Sequence, residues 1–369
     1  MLTPVHGGPD AQGVPAHDLS TNVNACGPYP PALRALHEAD ACHYPDPAYT
    51  RLAAQLAAWH GVSSERIVPA ASGSEFIQRI SVATALHAGA GALRWWQPAH
   101  AYGDYARAAQ AASAGSSVRT DDPAEARLLW ACDPSSPRGA PQEHLAETVA
   151  ALRPDQTLVL DQAYEPLRLA GALALDAAAL ERVWRLVTPN KALGLAGVRA
   201  AYAIAPRTVD AALLARVQRL APSWPLGAHG VALLQTWATP PARDWLADCR
   251  ATLRAWKARQ VEWLRRADWC VEPGDANFFV AVPPDGTGAE MRPDLQQRLA
   301  AWRARGFKLR DCASFGLPGR VRMAVVAPAV QDALLQALAR ASDRRSRSES
   351  PSPAIAHRHE PIPSTSRRS

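Results

Sequence analysis

Along the chain, apolar positions recur with two distinct periods. Between Pro47 and His60 the residues Tyr49, Leu52, Leu56 and Trp59 fall at helical spacing. Ile67-Val68 then forms a short apolar step into Ala71-Ser72-Gly73-Ser74-Glu75, and a helical run follows from Phe76 to Leu86. This predicts a strand, a turn of small residues and a helix start. Apolar runs at Ala92 to Trp96, Arg127 to Cys132, Thr157 to Asp161, Val183 to Thr188 and Ala200 to Ala205 predict further strands, several of them buried on both faces. Strands alternating with helices predict an α/β fold with a mostly parallel sheet. A long arginine-rich helix is expected from about Pro241 to Arg266. Beyond it, strands at Ala276 to Val282 and Val321 to Val326 and a helix near Leu295 to Arg305 predict a smaller α+β unit.

Composition narrows the function classes. With 48% hydrophobic and 20% charged residues in 369, the chain can build a large core. The net charge of +6 invites a nucleic-acid reading, but its distribution argues against one. The last 29 residues hold six arginines and three acids, so half of the excess lies in a Ser/Pro/Arg tail and the body is nearly balanced. That tail, 341–369, has too few apolar residues to offset ordering entropy and is expected to be disordered. No long apolar run predicts a membrane span. The first residues do not resemble a secretory signal. Six cysteines, at 26, 42, 132, 249, 270 and 312, lack metal-ligand spacing. They predict free thiols in a cytoplasmic protein with no metal site. Of 40 basic residues only Lys191, Lys257 and Lys308 are lysines. A lysine that survives such a bias suggests amine chemistry that a guanidinium cannot perform.

In open parallel sheets, ligands bind at the carboxyl ends of strands. The Ser72-Gly73-Ser74 turn, Asp161 and Lys191 are all expected at such ends. A small-residue turn opening a helix can hold a phosphate, an acid can pair with a protonated ring nitrogen, and a lysine can bond covalently to an aldehyde. Each is common alone; together they are the three handles that pyridoxal 5'-phosphate requires.

Asp161-Gln162-Ala163-Tyr164, followed by Asn190-Lys191-Ala192-Leu193-Gly194-Leu195-Ala196-Gly197-Val198-Arg199, resembles the D-x-A-Y and S-x-x-K-x-x-G-L-x-G-x-R motifs of class I/II aminotransferases. Asp133-Pro134-Ser135-Ser136-Pro137-Arg138-Gly139 resembles the N-P-N-N-P-T-G loop of that family. His100-Ala101-Tyr102-Gly103-Asp104-Tyr105 resembles P-T-Y-x-x-Y, and His43-Tyr44-Pro45-Asp46 resembles Y-P-D/E. The resemblance covers about residues 5–340. It implies the aspartate-aminotransferase fold, a PLP-dependent transferase fold in which a large domain carries the mostly parallel sheet beside a small α+β domain. The implied division is an N-terminal arm at 1–40 joining the small domain, a large PLP-binding domain at 41–240, a small domain at 241–340 and the tail.

The resemblance also implies roles. Lys191 carries the cofactor and transfers protons, Asp161 holds the ring nitrogen protonated, and Tyr164 bonds the ring oxygen. Tyr102 covers the ring, while Arg199 and the turn Ser72, Gly73 and Ser74 hold the phosphate. Tyr44 reaches the cofactor phosphate of the other subunit of a homodimer. Two positions depart from the pattern. Ser136 replaces an asparagine that bonds the ring oxygen, and the run Thr188-Pro189-Asn190 replaces the usual serine near the lysine.

Two branches of the family share these motifs. The opening His6-Gly7-Gly8, the segment Asp18-Leu19-Ser20-Thr21-Asn22-Val23-Asn24, Leu309-Arg310-Asp311-Cys312 and Val321-Arg322-Met323-Ala324 resemble the threonine-phosphate decarboxylases of cobalamin (vitamin B12) biosynthesis. On that reading Arg322 takes the substrate carboxylate, and Arg310, His6 and the Gly7 backbone take its phosphate, with Asn22 also touching substrate. A histidinol-phosphate-like aminotransferase is the alternative, and a non-catalytic PLP-fold protein is a third possibility. The expected partner is a small phosphorylated amino acid or amine, with neither nucleic acid nor membrane.

Overall fold

Among the described residues, thirteen strands are distributed over three sheets. The computed structural model describes residues 6–89, 91–113, 116–284 and 292–348, without the side chains of 292–294 and 339–348. In chain order the strands are β1 (His17–Asp18), β2 (Ile67–Ala70), β3 (Arg94–Trp96), β4 (Val118–Arg119), β5 (Leu128–Cys132), β6 (Thr157–Asp161) and β7 (Trp184–Val187). There follow β8 (Ala201–Ile204), β9 (Cys270–Val271), β10 (Phe278–Val282), β11 (Phe307–Lys308), β12 (Arg310–Asp311) and β13 (Val321–Ala324).

The large sheet has the order β2-β8-β7-β6-β5-β3-β4. Its pairs are parallel except at β8, which runs antiparallel to both β2 and β7. Alternation along a strand sends successive side chains to opposite faces. In β5, Leu128 and Trp130 therefore join one core cluster, with Phe76, Tyr105 and Trp184, and Leu129 and Ala131 join the other, with Leu158 and Val183. Every residue of β5 and β6 is buried, as their unbroken apolar runs require.

The second sheet, β12-β13-β10-β9, is antiparallel throughout. The N-terminal segment joins this end of the molecule: β1 pairs in parallel with β11, with His17 opposite Phe307 and Asp18 opposite Lys308. The helix Pro240–Arg266 leads into this sheet, and one apolar cluster runs from Leu52 and Tyr202 through Trp263 to Phe279 and Val321.

Two boundaries differ from the sequence pattern. The first helix of the Tyr49 pattern starts at Thr50 because Asp46 draws the N–H groups of Ala48 and Thr50 into a turn, with Tyr49 at φ 50°. The last helix spans Pro328–Ser348, so the disorder expected from 341 onward does not begin there. Arginine is a good helix former, and the polar residues 343–347 extend a helix already nucleated by packing. Residues 349–369 lie outside the described residues. Among the described residues, no helix is long and apolar enough to cross a membrane, and no group of His, Cys, Asp or Glu could hold a metal ion.

Candidate active site

A cavity of about 800 Å3 opens along the edge of the large sheet where β2, β5, β6 and β7 end. The parallel arrangement, with β8 as the one reversal, brings together residues distant in sequence.

The turn after β2 starts the helix Gly73–Ala88. Ser72 caps that helix, its Oγ accepting from the Glu75 N–H at 3.1 Å. Its hydroxyl is thereby committed, and the first-turn N–H groups of Gly73 and Ser74, two residues that line the cavity, have no intrahelical partners. Ser74 Oγ shares a hydrogen bond with the Tyr102 hydroxyl at 3.2 Å. A side chain at position 73 would bring its Cβ to 3.0 Å from Thr188 Cγ2, so the close approach of this turn to the chain beyond β7 favours glycine.

Thr188 lines the cavity and its buried Oγ1 has no hydrogen-bond partner. The run Thr188-Pro189-Asn190, a departure from the family pattern, therefore still presents a hydroxyl here. Asn190 braces the loop: Oδ1 accepts from the Lys191 N–H at 3.0 Å, and Nδ2 donates to the Ala196 carbonyl at 3.2 Å.

Asp161 ends β6, opposite Cys132 of β5. It is buried, and its Oδ2 accepts from the Tyr105 hydroxyl at 2.7 Å while Oδ1 accepts from the Ala163 N–H at 2.9 Å. Burial pushes the carboxyl above its ordinary pKa, against those two hydrogen bonds and the nearby Lys191 charge. Lys191 Nζ lies 5.3 Å from the centre of the Tyr164 ring. Tyr102 lines the same space, and burial, with the Asp104 charge beside it, pushes its phenol above the ordinary value.

The far wall comes from the antiparallel sheet. Arg310 and Arg322 face each other across β12 and β13, and both are buried. Arg310 Nη2 donates to Ser314 Oγ at 2.8 Å; Arg322 Nη2 donates to the Ser20 carbonyl at 2.9 Å and Nη1 to Ser136 Oγ at 3.4 Å. Arg322 Nε is buried without a partner. Burial lowers the Arg310 pKa, and the facing Arg322 charge lowers it further.

Most of the residues singled out from sequence meet in this cavity. His6 and Gly7 line it, and Gly7 fits because any Cβ would lie 2.3 Å from the Ser20 carbonyl oxygen. Arg199 lines the rim and is exposed. Ser136 is part of the wall but faces Arg322. Two of these residues lie outside the lining. Asn22, expected to touch substrate, is fully buried behind Tyr164, donating from Nδ2 to its hydroxyl at 3.2 Å. Tyr44 is 77% exposed and stands outside its own chain's cavity, stacked on Trp224 at 4.3 Å. Sequence reasoning also missed the contacts of Tyr105 and Phe315. The first lay unremarked inside the His100–Tyr105 motif, and the second carries no motif at all.

A phosphate-bearing pyridine ring fits these residues. Helix-start N–H groups and the orphaned Thr188 hydroxyl suit the phosphate, and a buried carboxyl group that accepts two hydrogen bonds suits a ring cation. Comparison with known proteins agrees. The model of the aminotransferase class I and II family matches residues 16–341, and the chain belongs to that family of pyridoxal-phosphate enzymes. Histidinol-phosphate aminotransferase 2 of Burkholderia mallei is 30% identical over 355 residues, covering 89% of this chain and 94% of that protein. The structure of histidinol-phosphate aminotransferase from Sinorhizobium meliloti in complex with pyridoxal-5'-phosphate superposes with a TM-score of 0.72 at 23% identity, covering 94% of this chain and 96% of that one. L-threonine-O-3-phosphate decarboxylase from Porphyromonas gingivalis superposes with a TM-score of 0.69 at 20% identity, covering 88% and 99%. At these identities the two structures carry the fold.

Proposed function

We propose that this enzyme decarboxylates O-phospho-L-threonine to aminopropanol phosphate, a step of cobalamin biosynthesis. The observation that supports it is the pair of buried arginines, Arg310 and Arg322, directly opposed on the cavity wall. A substrate with a carboxylate and a phosphate offers one anion to each guanidinium fork. Arg322 takes the carboxylate. Arg310, with His6 and the Gly7 backbone, takes the phosphate.

When bound, pyridoxal phosphate supplies an electron sink for negative charge developing at the substrate Cα. The residues of the chain do the rest. Lys191 would hold the cofactor covalently and, once the Cα–carboxylate bond has broken and carbon dioxide has left, deliver the proton that replaces it at Cα. Asp161 accepts the hydrogen bond of the ring nitrogen and keeps that nitrogen protonated. Tyr164, held by Asn22, bonds the ring oxygen, and Tyr102 covers the ring. The N–H groups of Gly73 and Ser74, the Thr188 hydroxyl and Arg199 hold the cofactor phosphate. The two arginine forks would hold both anions of the substrate and so set the orientation of its Cα bonds, which decides which of them breaks. Tyr44, exposed on its own chain, reaches the cavity of a second copy in a homodimer.

A second reading, a histidinol-phosphate-like aminotransferase, draws its support from the sequence relatives. Histidinol phosphate itself carries a single anionic group, and on this reading the second arginine serves the carboxylate of the keto-acid acceptor. Incubation with O-phospho-L-threonine separates the readings. Carbon dioxide released without a keto-acid acceptor supports decarboxylation, and amino transfer only in the presence of an acceptor overturns it. A protein that binds cofactor but turns over neither compound is a non-catalytic member of the family.

A further inference from the structure

Two like charges buried directly opposite one another on adjacent strands repel, and burial removes the water that would screen them. Arg310 and Arg322 nevertheless stand in this arrangement. Their polar contacts run in different directions, Arg310 to Ser314 and Arg322 to the Ser20 carbonyl and Ser136. An aromatic ring is common to both. The Arg310 guanidinium carbon lies over the Phe315 ring at 4.8 Å from its centre, and the Arg322 carbon over the same ring at 5.5 Å. Arg322 also lies over Phe278 at 5.5 Å. A ring face attracts each cation, and most strongly where both are desolvated.

Phe315 is itself held on two sides. It packs with Val280, Cys312 and Leu317 of the antiparallel sheet and its turn. Its carbonyl accepts from His100 Nδ1 at 2.9 Å, and His100 stands two residues before Tyr102 on the opposite wall. The ring lines the cavity between these anchors.

We propose that Phe315 is a specificity-determining residue that fixes the spacing of Arg310 and Arg322, and so selects a ligand whose two anionic groups are separated by a short chain. This rests on the two-anion substrate reading above. With the shared ring in place, each fork holds its own anion. Without it, the contact common to both guanidiniums is lost, their spacing rests on separate anchors, and the advantage of a second anionic group falls.

The test uses the holoenzyme and three proteins: the wild type, Phe315→Leu, which removes the ring face, and Phe315→Trp, which keeps one. The dissociation constants of O-phospho-L-threonine and L-threonine are read from the rapid change in cofactor absorbance on mixing, before turnover. The wild type should prefer the phosphorylated compound at least a hundred-fold. Phe315→Leu should lower that preference ten-fold or more, and Phe315→Trp should retain most of it. Should Phe315→Leu fail to retain cofactor, Phe315→Met supplies the same comparison. A wild type without preference overturns the substrate reading and this proposal with it. A wild type that discriminates, beside a cofactor-loaded Leu or Met variant that discriminates equally well, overturns the role of Phe315 alone. Equal weakening of both ligands in that variant also overturns it, since a merely structural ring would act that way.

Discussion

The Tyr105 hydroxyl donates to Asp161 Oδ2 at 2.7 Å in a fully buried setting, with the Tyr105 ring stacked on Trp130 at 4.6 Å and 3°. Burial alone favours the neutral carboxylic acid, and this bond favours the carboxylate. Tyr105→Phe keeps the stack and deletes the donor. A hydrogen bond to a charged group contributes about 1.5–3 kcal/mol, so kcat/KM should fall about ten- to a hundred-fold. Steady-state kinetics on the cofactor-saturated variant provide the check, and unchanged kcat/KM would remove Tyr105 from the site.

Of the three lysines, Lys191 lines the cavity. Lys257 Nζ donates to the Gly274 and Ala276 carbonyls, and Lys308 pairs with Asp10, whereas Lys191 faces the cavity. Borohydride reduction followed by peptide mapping should label Lys191, and Lys191→Ala should abolish the label. A label on either other lysine refutes the assignment.

Gly73→Ala should weaken cofactor binding at least several-fold while the melting temperature of the apoprotein changes little. The added Cβ would meet Thr188 Cγ2 at 3.0 Å and push apart the two segments that offer donors to a phosphate. Thr188→Ser, which removes that methyl group and keeps the hydroxyl, should restore binding in the double variant. Equal affinity for cofactor in Gly73→Ala and wild type would contradict this picture.

Arg310→Ala should lower kcat/KM for a phosphorylated substrate by about ten- to a hundred-fold or more, since one charge-assisted bond to the phosphate is lost. An analogue without phosphate should lose little further, and cofactor absorbance should stay unchanged. Equal losses for both substrates would reduce Arg310 to a structural role.

His60 gives the fold an acid-sensitive point. Burial, and then the Arg185 charge, lower its pKa from 6.5 to about 4, and its Nε2 meets the Tyr202 hydroxyl at 2.7 Å. A base whose folded pKa is depressed binds fewer protons folded than unfolded between those values. The stabilisation is present above pH 6.5 and is lost as pH falls toward 4. It amounts to about 2–4 kcal/mol at one pKa unit per 1.36 kcal/mol. Urea melts at pH 7 and pH 4.5 should show the loss, and His60→Gln should reduce it.

Much of this architecture is legible in the residues. The strands β5 and β6 stand out because their apolar runs are buried on both faces, and Ser72 to Glu75 announces a helix start through its capping pattern. The helix Gly103–Ala112 gives little periodic signal because alanine occupies five of its ten positions. The helix Ala228–Trp237 is apolar on several sides and so lacks contrast. In the site, Lys191 and Asp161 are marked by their neighbours in sequence. The Tyr105 bond, the orphaned Thr188 hydroxyl and the Phe315 ring depend on contacts made across elements, which no local pattern encodes.

The reversed direction of β8 has a consequence for how this enzyme tolerates change. Because β8 returns antiparallel beside β7, the single connection between them carries both Lys191 and Arg199. That connection is stitched to itself, with Leu193 bonded to the Pro189 carbonyl and Leu195 to that of Asn190. Downstream, Tyr202 and Ile204 point into one core cluster, and Ala201 and Ala203 into the other. One inserted residue would displace Arg199 from Lys191, or else turn β8 over and drive Tyr202 into a layer sized for alanine. Substitutions can accumulate along this loop, but its length is locked at both ends, by chemistry at one and by packing at the other.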